Sequence, residues 1–291
     1  MSPRRLPEWI RSASPAAGMS AHIRRNTYDT GLPTVCTEAR CPNRAECSRN
    51  GTATFLILGD RCTRDCRFCA VQHGTPSALD PHEAERVASA IAALDLRHAV
   101  VTSVTRDDLP DGGAAAFAGT IRAIRRSSPS TTIEVLVPDF RGKNESVDQV
   151  IGTRPDVIGH NVEMVPRLYP AVRPVASYER SLEVVRRVAA GRSGIVSKSG
   201  IMVGMGESIE EIVRVIDDLV QVGCLVLTIG QYLQPTRGHW PVARFVSPQE
   251  FAALRELALA AGIQQVASGP MVRSSYRSGE ILTKLRAAVR S

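Results

Sequence analysis

Short apolar runs separated by amphipathic stretches set the rhythm of this chain from residue 53 onward. Ala53-Thr54-Phe55-Leu56-Ile57-Leu58-Gly59 is too short for a helix and is closed by glycine, which suits a buried parallel strand. Asp80-Pro81-His82-Glu83 carries an N-cap residue, a proline at the first helical position and an acid in register, and predicts an Ala-rich helix to about Leu94. The alternation continues with a strand over 99–105, a helix over 114–126, a strand over 132–137, a short helix over 146–151 and a strand over 156–160. A helix over 178–190, a strand over 195–203, a helix over 209–222 behind a Ser208/Glu211 capping box and a strand over 224–229 follow, and Ser247-Pro248-Gln249-Glu250 caps a last helix to about Ala261. Six strand-then-helix units predict an α/β fold whose right-handed crossovers curl into a partial (β/α)6 TIM-type barrel, six being short of the eight that close one. The barrel is expected over 51–262, between an irregular N-terminal extension (1–50) dense in Pro, Gly, Asn and Cys and a short C-terminal extension (263–291).

In such folds the working loops lie at the C-terminal ends of the strands. A cysteine triplet after the first strand, Ser103, Asn161, Gly204 and Gln231 all fall at such ends and are expected to share one cavity.

Composition narrows the class. Over 291 residues, 43% are hydrophobic and 22% charged, enough for a full core. The net charge of +7 comes from arginine spread along the chain and argues for an acidic partner or an anionic ligand; with no long basic block and few aromatics, nucleic acid is not expected. No apolar run is long enough to span a bilayer, and the N-terminus lacks the apolar core of a secretory signal, so no membrane association and a cytoplasmic location are expected. An odd cysteine count, seven, speaks against a disulfide framework.

Six of the seven cysteines form two triplets, Cys36-x4-Cys41-x5-Cys47 and Cys62-x3-Cys66-x2-Cys69. Three thiolates this close can wrap a soft multi-iron centre, and two triplets suggest two iron–sulfur clusters. The alternative for the second triplet is zinc, for which His73 is the one nearby fourth ligand. Three ligands on a four-iron cubane leave one iron open to a small molecule. Asn161 and Glu163, two apart on a strand end, point to one side and can hold paired hydroxyls, or can equally be a solvated strand end. Arg180 offers a planar fork for a carboxylate, or an exposed helix charge.

The second triplet at the end of a first β-strand, with Phe68 before its last cysteine, resembles the radical S-adenosylmethionine (SAM) superfamily. That resemblance implies that the open iron binds SAM. The glycine-rich run ending in Gly204 then lets backbone approach the adenosyl group, Asn161 and Glu163 grip the ribose, and Arg180 pairs with the methionyl carboxylate. Both triplets together resemble the lipoyl synthase family almost end to end. The shared motifs include Pro7-Glu8-Trp9, Arg106-Asp107-Asp108-Leu109-Pro110-Asp111-Gly112-Gly113, Val165-Pro166-Arg167-Leu168-Tyr169, Lys198-Ser199-Gly200-Ile201-Met202-Val203-Gly204, Gly230-Gln231-Tyr232-Leu233-Gln234-Pro235 and Ser268-Gly269-Pro270-Met271-Val272-Arg273-Ser274-Ser275-Tyr276. The match at Pro7-Glu8-Trp9 is the reason not to set the N-terminus aside as a transit peptide. After Tyr276 the chain reads Arg277-Ser278-Gly279-Glu280, where His-Ala is more usual in that family.

The resemblance implies two [4Fe-4S] clusters. One is a SAM-binding cluster on Cys62, Cys66 and Cys69, and the other an auxiliary cluster on Cys36, Cys41 and Cys47 with Ser275 as the fourth ligand. A serine oxygen is a hard ligand on a soft cluster and leaves more readily than a thiolate. The implied reaction inserts sulfur at C6 and C8 of a protein-bound octanoyl-lysine, drawing it from the auxiliary cluster, with no protein acid or base in the central step. Implied partners are octanoylated lipoyl domains or a glycine-cleavage H protein, an electron donor such as ferredoxin or flavodoxin, and an iron–sulfur assembly carrier. Two other readings stand beside it: a radical SAM methylthiotransferase, which would bring a nucleic-acid-binding module, and a non-catalytic iron–sulfur carrier, which has no need of six βα units. Arg106-Asp107-Asp108 is a salt-bridged loop as readily as a substrate contact, and Cys224 reads as a small buried side chain.

Overall fold

The computed structural model describes residues 6–11, 32, 34, 35, 43, 52–191 and 194–290. Among them, seven parallel strands form one sheet in strictly sequential order: β1 (Thr52–Ile57), β4 (His98–Ser103), β5 (Thr132–Leu136), β6 (Val157–Gly159), β7 (Val196–Val203), β8 (Val226–Gln231) and β9 (Gln265–Gly269). The intervening β2 (Arg61–Cys62) and β3 (Gln72–His73) pair with each other in the loop after β1. After the short α1 (Glu8–Arg11), the helices are α2 (Glu83–Ala93), α3 (Ala114–Ser127), α4 (Asn144–Ile151), α5 (Tyr169–Val172), α6 (Tyr178–Ala190), α7 (Ile209–Gln221), α8 (Pro248–Ala261) and α9 (Ser278–Arg290). The six expected βα units are present and the sheet stays open, with β1 and β9 at its edges. Strand β9 is an addition to the six expected strands. Its core partner Val266 is only partly buried, and Gln, Ala, Ser and Gly around it hide the period of a strand. Among the described residues no helix is long and apolar enough to cross a membrane.

Alternation along each strand divides two environments. Phe55, Ile57, Ala99, Val101, Ile133 and Val135 face outward and pack under α2, α3 and α4. Thr54, Leu56, Val100, Thr102, Leu136 and Thr228 face inward and line a cavity. Helix starts follow local chemistry: Ser208 and Ser247 each make a full capping box, and Ser177 accepts from the Arg180 amide. Helix α2 begins at Glu83, later than expected. Asp80 accepts instead from the His82 amide in a turn, and Glu83 accepts from the Leu58 amide beyond β1.

The base of the barrel is closed by charge and by the C-terminal helix. Lys198 and Glu134, both almost fully buried, form an ion pair at 2.7 Å, and His98 Nε2 lies 3.6 Å from the other Glu134 oxygen. Leu282 and Leu285 of α9 pack against Val157, Val196 and Val226 at the first residues of three strands. Ser278 Oγ is 2.9 Å from His98 Nε2, and a Cβ on Gly279 would lie 3.0 Å from His98 Cβ, so Ser278 and Gly279 dock α9 onto this histidine.

Candidate active site

The loop after β1 carries Cys62, Cys66 and Cys69 to the barrel mouth, where all three line the cavity of about 350 Å³. Arg64, between the first two cysteines, anchors that loop. Its Nε donates to Asp107 at 2.7 Å, and its Nη2 donates to Asp107 at 2.9 Å and to Asp139 at 2.6 Å, with the guanidinium and Asp139 buried. Burial works to raise the Asp139 carboxyl, but the Arg64 bond and charge, then His160 and the Arg141 amide, outweigh it and hold the group at about 2. Thr63 adds a bond to the Thr105 carbonyl and accepts from the Asp107 amide. The Arg106-Asp107-Asp108 motif is therefore a salt-bridged support: Arg106 pairs with Asp108 and reaches the Leu58 carbonyl, while Asp107 holds Arg64. From the other side, His239 Nε2 lies 2.9 Å from the Cys69 carbonyl, and the Trp240 amide donates to the Arg67 carbonyl at 2.7 Å.

The three thiols sit in environments of graded polarity. Cys62 Sγ accepts from the amides of Arg64 (3.4 Å) and Thr105 (3.3 Å). Burial pushes Cys66 up, against the pull of Arg173, and pushes Cys69 up to about 12. Among the described residues no three His, Cys, Asp or Glu side chains gather closely enough to hold a single metal ion. Three sulfurs facing one cavity, with amide donors on Cys62 and a cation near Cys66, fit a larger thiolate-bound iron–sulfur group.

The remaining expected residues divide. Phe68, Ser103, Asn161 and Glu163 line the same cavity as the cysteines. Ser103 Oγ is buried there with no hydrogen-bond partner among the described residues, which leaves it able to meet a polar ligand. Asn161 Nδ2 donates to Glu163 at 3.2 Å and to Ser274 Oγ at 2.5 Å. Glu163 has φ of 67°, a left-handed backbone that a non-glycine residue adopts at a cost, and burial raises its carboxyl. Ser275 also lines the cavity, and its carbonyl accepts from Ser278. Arg180 and Gly204 do not reach it. Arg180 donates to the Val175 carbonyl and stands behind Asp139, its Nε 3.7 Å from that carboxylate. Gly204, at φ 95°, turns its amide onto Glu207, and a Cβ there would strike the Gln231 side chain at 2.2 Å. The glycines that line the cavity are Gly200, where a Cβ would lie 2.8 Å from Asn161 Oδ1, and Gly230, where a Cβ would lie 2.2 Å from the Val272 carbonyl, so the C-terminal segment can lie against the barrel wall. Two cavity residues that sequence reasoning missed are Arg173 and Glu134: one follows a short helix with no motif spacing of its own, and the other stands in an apolar strand.

Cys36, Cys41 and Cys47 lie outside the described residues. Their neighbours reach the same region: Thr34 bridges Phe55 at the free edge of β1, Val35 lines the cavity, and Asn43 Nδ2 donates to the Met271 carbonyl at 2.5 Å.

Comparison with known proteins agrees with this layout. The model of the radical SAM superfamily matches residues 56–219. A lipoyl synthase of Rubrobacter xylanophilus is 54% identical over 94% of this chain and 85% of its own length, and one of Bacteroides fragilis is 53% identical over 94% of both. The crystal structure of a methylornithine synthase superposes with a TM-score of 0.53 at 14% identity, over 74% of this chain and 70% of the other, a likeness of fold.

Proposed function

Since this chain belongs to the lipoyl synthase family of radical SAM enzymes, we propose that it inserts two sulfur atoms, at C6 and C8, into an octanoyl group carried on a lysine of a lipoyl domain, sulfur being drawn from a second, auxiliary [4Fe-4S] cluster. The observation that carries the reading is the meeting, in one cavity, of the Cys62/Cys66/Cys69 triplet with Ser275 from the far end of the chain. Cys62, Cys66 and Cys69 would hold the cluster that binds SAM. Cys36, Cys41, Cys47 and Ser275 would hold the auxiliary one, residues 1–50 and 263–291 folding onto the barrel of 51–262 to do so. When bound, the two clusters and SAM supply the electron, the adenosyl radical and the sulfur.

The chain's own part is placement. Arg64, Asp107 and Asp139 fix the cysteine loop, Asn161 and Glu163 offer an amide and a carboxylate to paired hydroxyls, and Ser103 offers a free hydroxyl. The inward-facing Leu56, Val100, Leu136 and Met202 give the acyl chain an apolar wall that keeps water from a reactive carbon. No side chain here has the role of acid or base in the central step. The chain's positive charge suits an acidic carrier such as a lipoyl domain or an H protein, and a ferredoxin or flavodoxin would supply electrons.

The test is anaerobic reconstitution with iron and sulfide, followed by SAM, a strong reductant and an octanoyl-lysine peptide. The reading requires 5′-deoxyadenosine together with a peptide heavier by two sulfurs. No 5′-deoxyadenosine refutes the radical chemistry, and 5′-deoxyadenosine without sulfur transfer refutes the substrate.

A further inference from the structure

Arg173 is a second buried cation of the cavity, beside the Arg64 that clamps the cysteine loop, and nothing so far gives it a task. The segment leading to it is stitched to the cysteine loop: the Arg67 amide donates to the Val172 carbonyl at 2.9 Å, and Arg67 Nη1 to Ala171 at 3.4 Å. Its guanidinium is held over the Tyr169 ring at 5.6 Å and donates to the Asn161 carbonyl and to Tyr169 Oη, both at 3.4 Å. Arg173 is 9% exposed, its Nε is buried with no hydrogen-bond partner, and no carboxylate among the described residues forms an ion pair with it. A guanidinium cannot shed its proton, so burial leaves this charge in place, with Glu163, Asp139 and the Cys66 thiol as the negative groups around it. Arg173 and Cys66 line the same cavity, so the positive field of the guanidinium falls on that side of the triplet. A thiolate-bound cluster gains negative charge when it takes up an electron, and its potential follows the charge and hydrogen bonds around its sulfurs.

We propose that Arg173 is an electrostatic tuning residue that raises the reduction potential of the cluster held by Cys62, Cys66 and Cys69, making it easier for a donor to deliver the electron. This rests on the cluster assignment made above. Tyr169 is the positioning residue behind it: its ring carries the guanidinium, and its hydroxyl is anchored on the Val162 carbonyl at 2.5 Å.

The experiment is a potentiometric titration, followed by EPR, of the reconstituted full-length chain without SAM, reading the cluster whose signal changes when SAM is later added. Arg173→Met is expected to lower the reduced-to-oxidised ratio at a fixed potential at least tenfold, a midpoint shift of about 59 mV to the negative for one electron. Arg173→Lys keeps the charge and most of the potential. Tyr169→Leu, which frees the guanidinium, shifts the midpoint in the same direction by a smaller factor, and decides the matter if the Met variant takes up no iron. An iron-loaded Met or Leu variant with the parental midpoint overturns the proposal. So does loss of SAM affinity with an unmoved midpoint, which would give the guanidinium to the methionyl carboxylate. A parent chain that binds no iron at Cys62, Cys66 and Cys69 refutes the cluster assignment itself, a separate result.

Discussion

Replacing Arg64 by Met removes the clamp of the cysteine loop without opening a large void. Three hydrogen bonds disappear, two to Asp107 and one to Asp139. The two carboxylates are not equally placed to bear the loss. Asp107, 15% exposed, can turn to water, whereas Asp139 is fully buried and among the described residues keeps only Arg180, 3.7 Å away, as an ion-pair partner. Breaking a buried pair by removing one partner costs about 3–5 kcal/mol, a large part of the ~5–15 kcal/mol that holds a domain folded. Proton linkage gives a second route to the magnitude. A carboxyl held at about 2 when folded, against 3.8 ordinarily, contributes about 2 kcal/mol of stability at neutral pH. The group is depressed, so this contribution is complete above pH 3.8 and is lost as pH falls toward 2. Urea unfolding of full-length Arg64→Met at pH 7 and pH 5 is therefore expected to show the same deficit of a few kcal/mol, narrowing below pH 4. Iron uptake on the triplet is expected to fall with it, because the loop that presents Cys62 and Cys66 has lost its anchor. A variant within about 0.5 kcal/mol of the parent at pH 7, the range of ordinary surface changes, and with parental iron content, would refute the clamp.

Ser275→Ala is expected to retain SAM cleavage, measured as 5′-deoxyadenosine, and to lose dithiolane formation, measured by mass of the peptide; normal lipoyl formation by that variant sinks the ligand assignment. Gly230→Ala drives a methyl into the Val272 carbonyl and, as an overpacked site, should cost about 1–3 kcal/mol in urea unfolding; its sulfur transfer should fall more than its SAM cleavage, since the displaced segment carries Ser275. Lys198→Met leaves Glu134 buried beside His98 alone and should cost about 3–5 kcal/mol, whereas Lys198→Met with Glu134→Leu recovers most of that loss. Equal stabilities of the single and double variants would show that the floor pair is not what Lys198 contributes.

The alternation of apolar runs and capped helices made six βα units legible, because β1, β4, β5, β7 and α7 each carry their own period and caps. The cysteine triplet was legible for a similar local reason: its ligands lie within eight residues. What stayed hidden depends on pairing across distance. Arg64 finds Asp139 over 75 residues, and nothing in either neighbourhood marks the partner. Arg180 was expected at the methionyl carboxylate from its place after Ser177, yet capping by Ser177 sets α6 so that the side chain leaves toward Val175 and Asp139. Arg173, just after α5, is the one of this pair that lines the cavity. A pattern gives the element on which a charged residue sits; which of two arginines seven residues apart enters a cavity is decided by how the chain turns between them.

The C-terminal segment shows how that limit bears on function. From Val272 against Gly230, through Ser274 on Asn161 and Ser275 at the cavity, the chain descends to Ser278 on His98 and to α9 beneath the barrel. In the function proposed above, Ser275 as a weak fourth ligand to a cluster that is dismantled would gain nothing from strength of its own; it would need to return to one place when the cluster is rebuilt. Anchoring both ends of a short segment, one on the wall that also carries Asn161 and one on the ion-paired floor, supplies that return. The Lys198–Glu134–His98 floor thereby acts on the position of Ser275, and damage to it should appear in sulfur transfer before it appears in SAM cleavage.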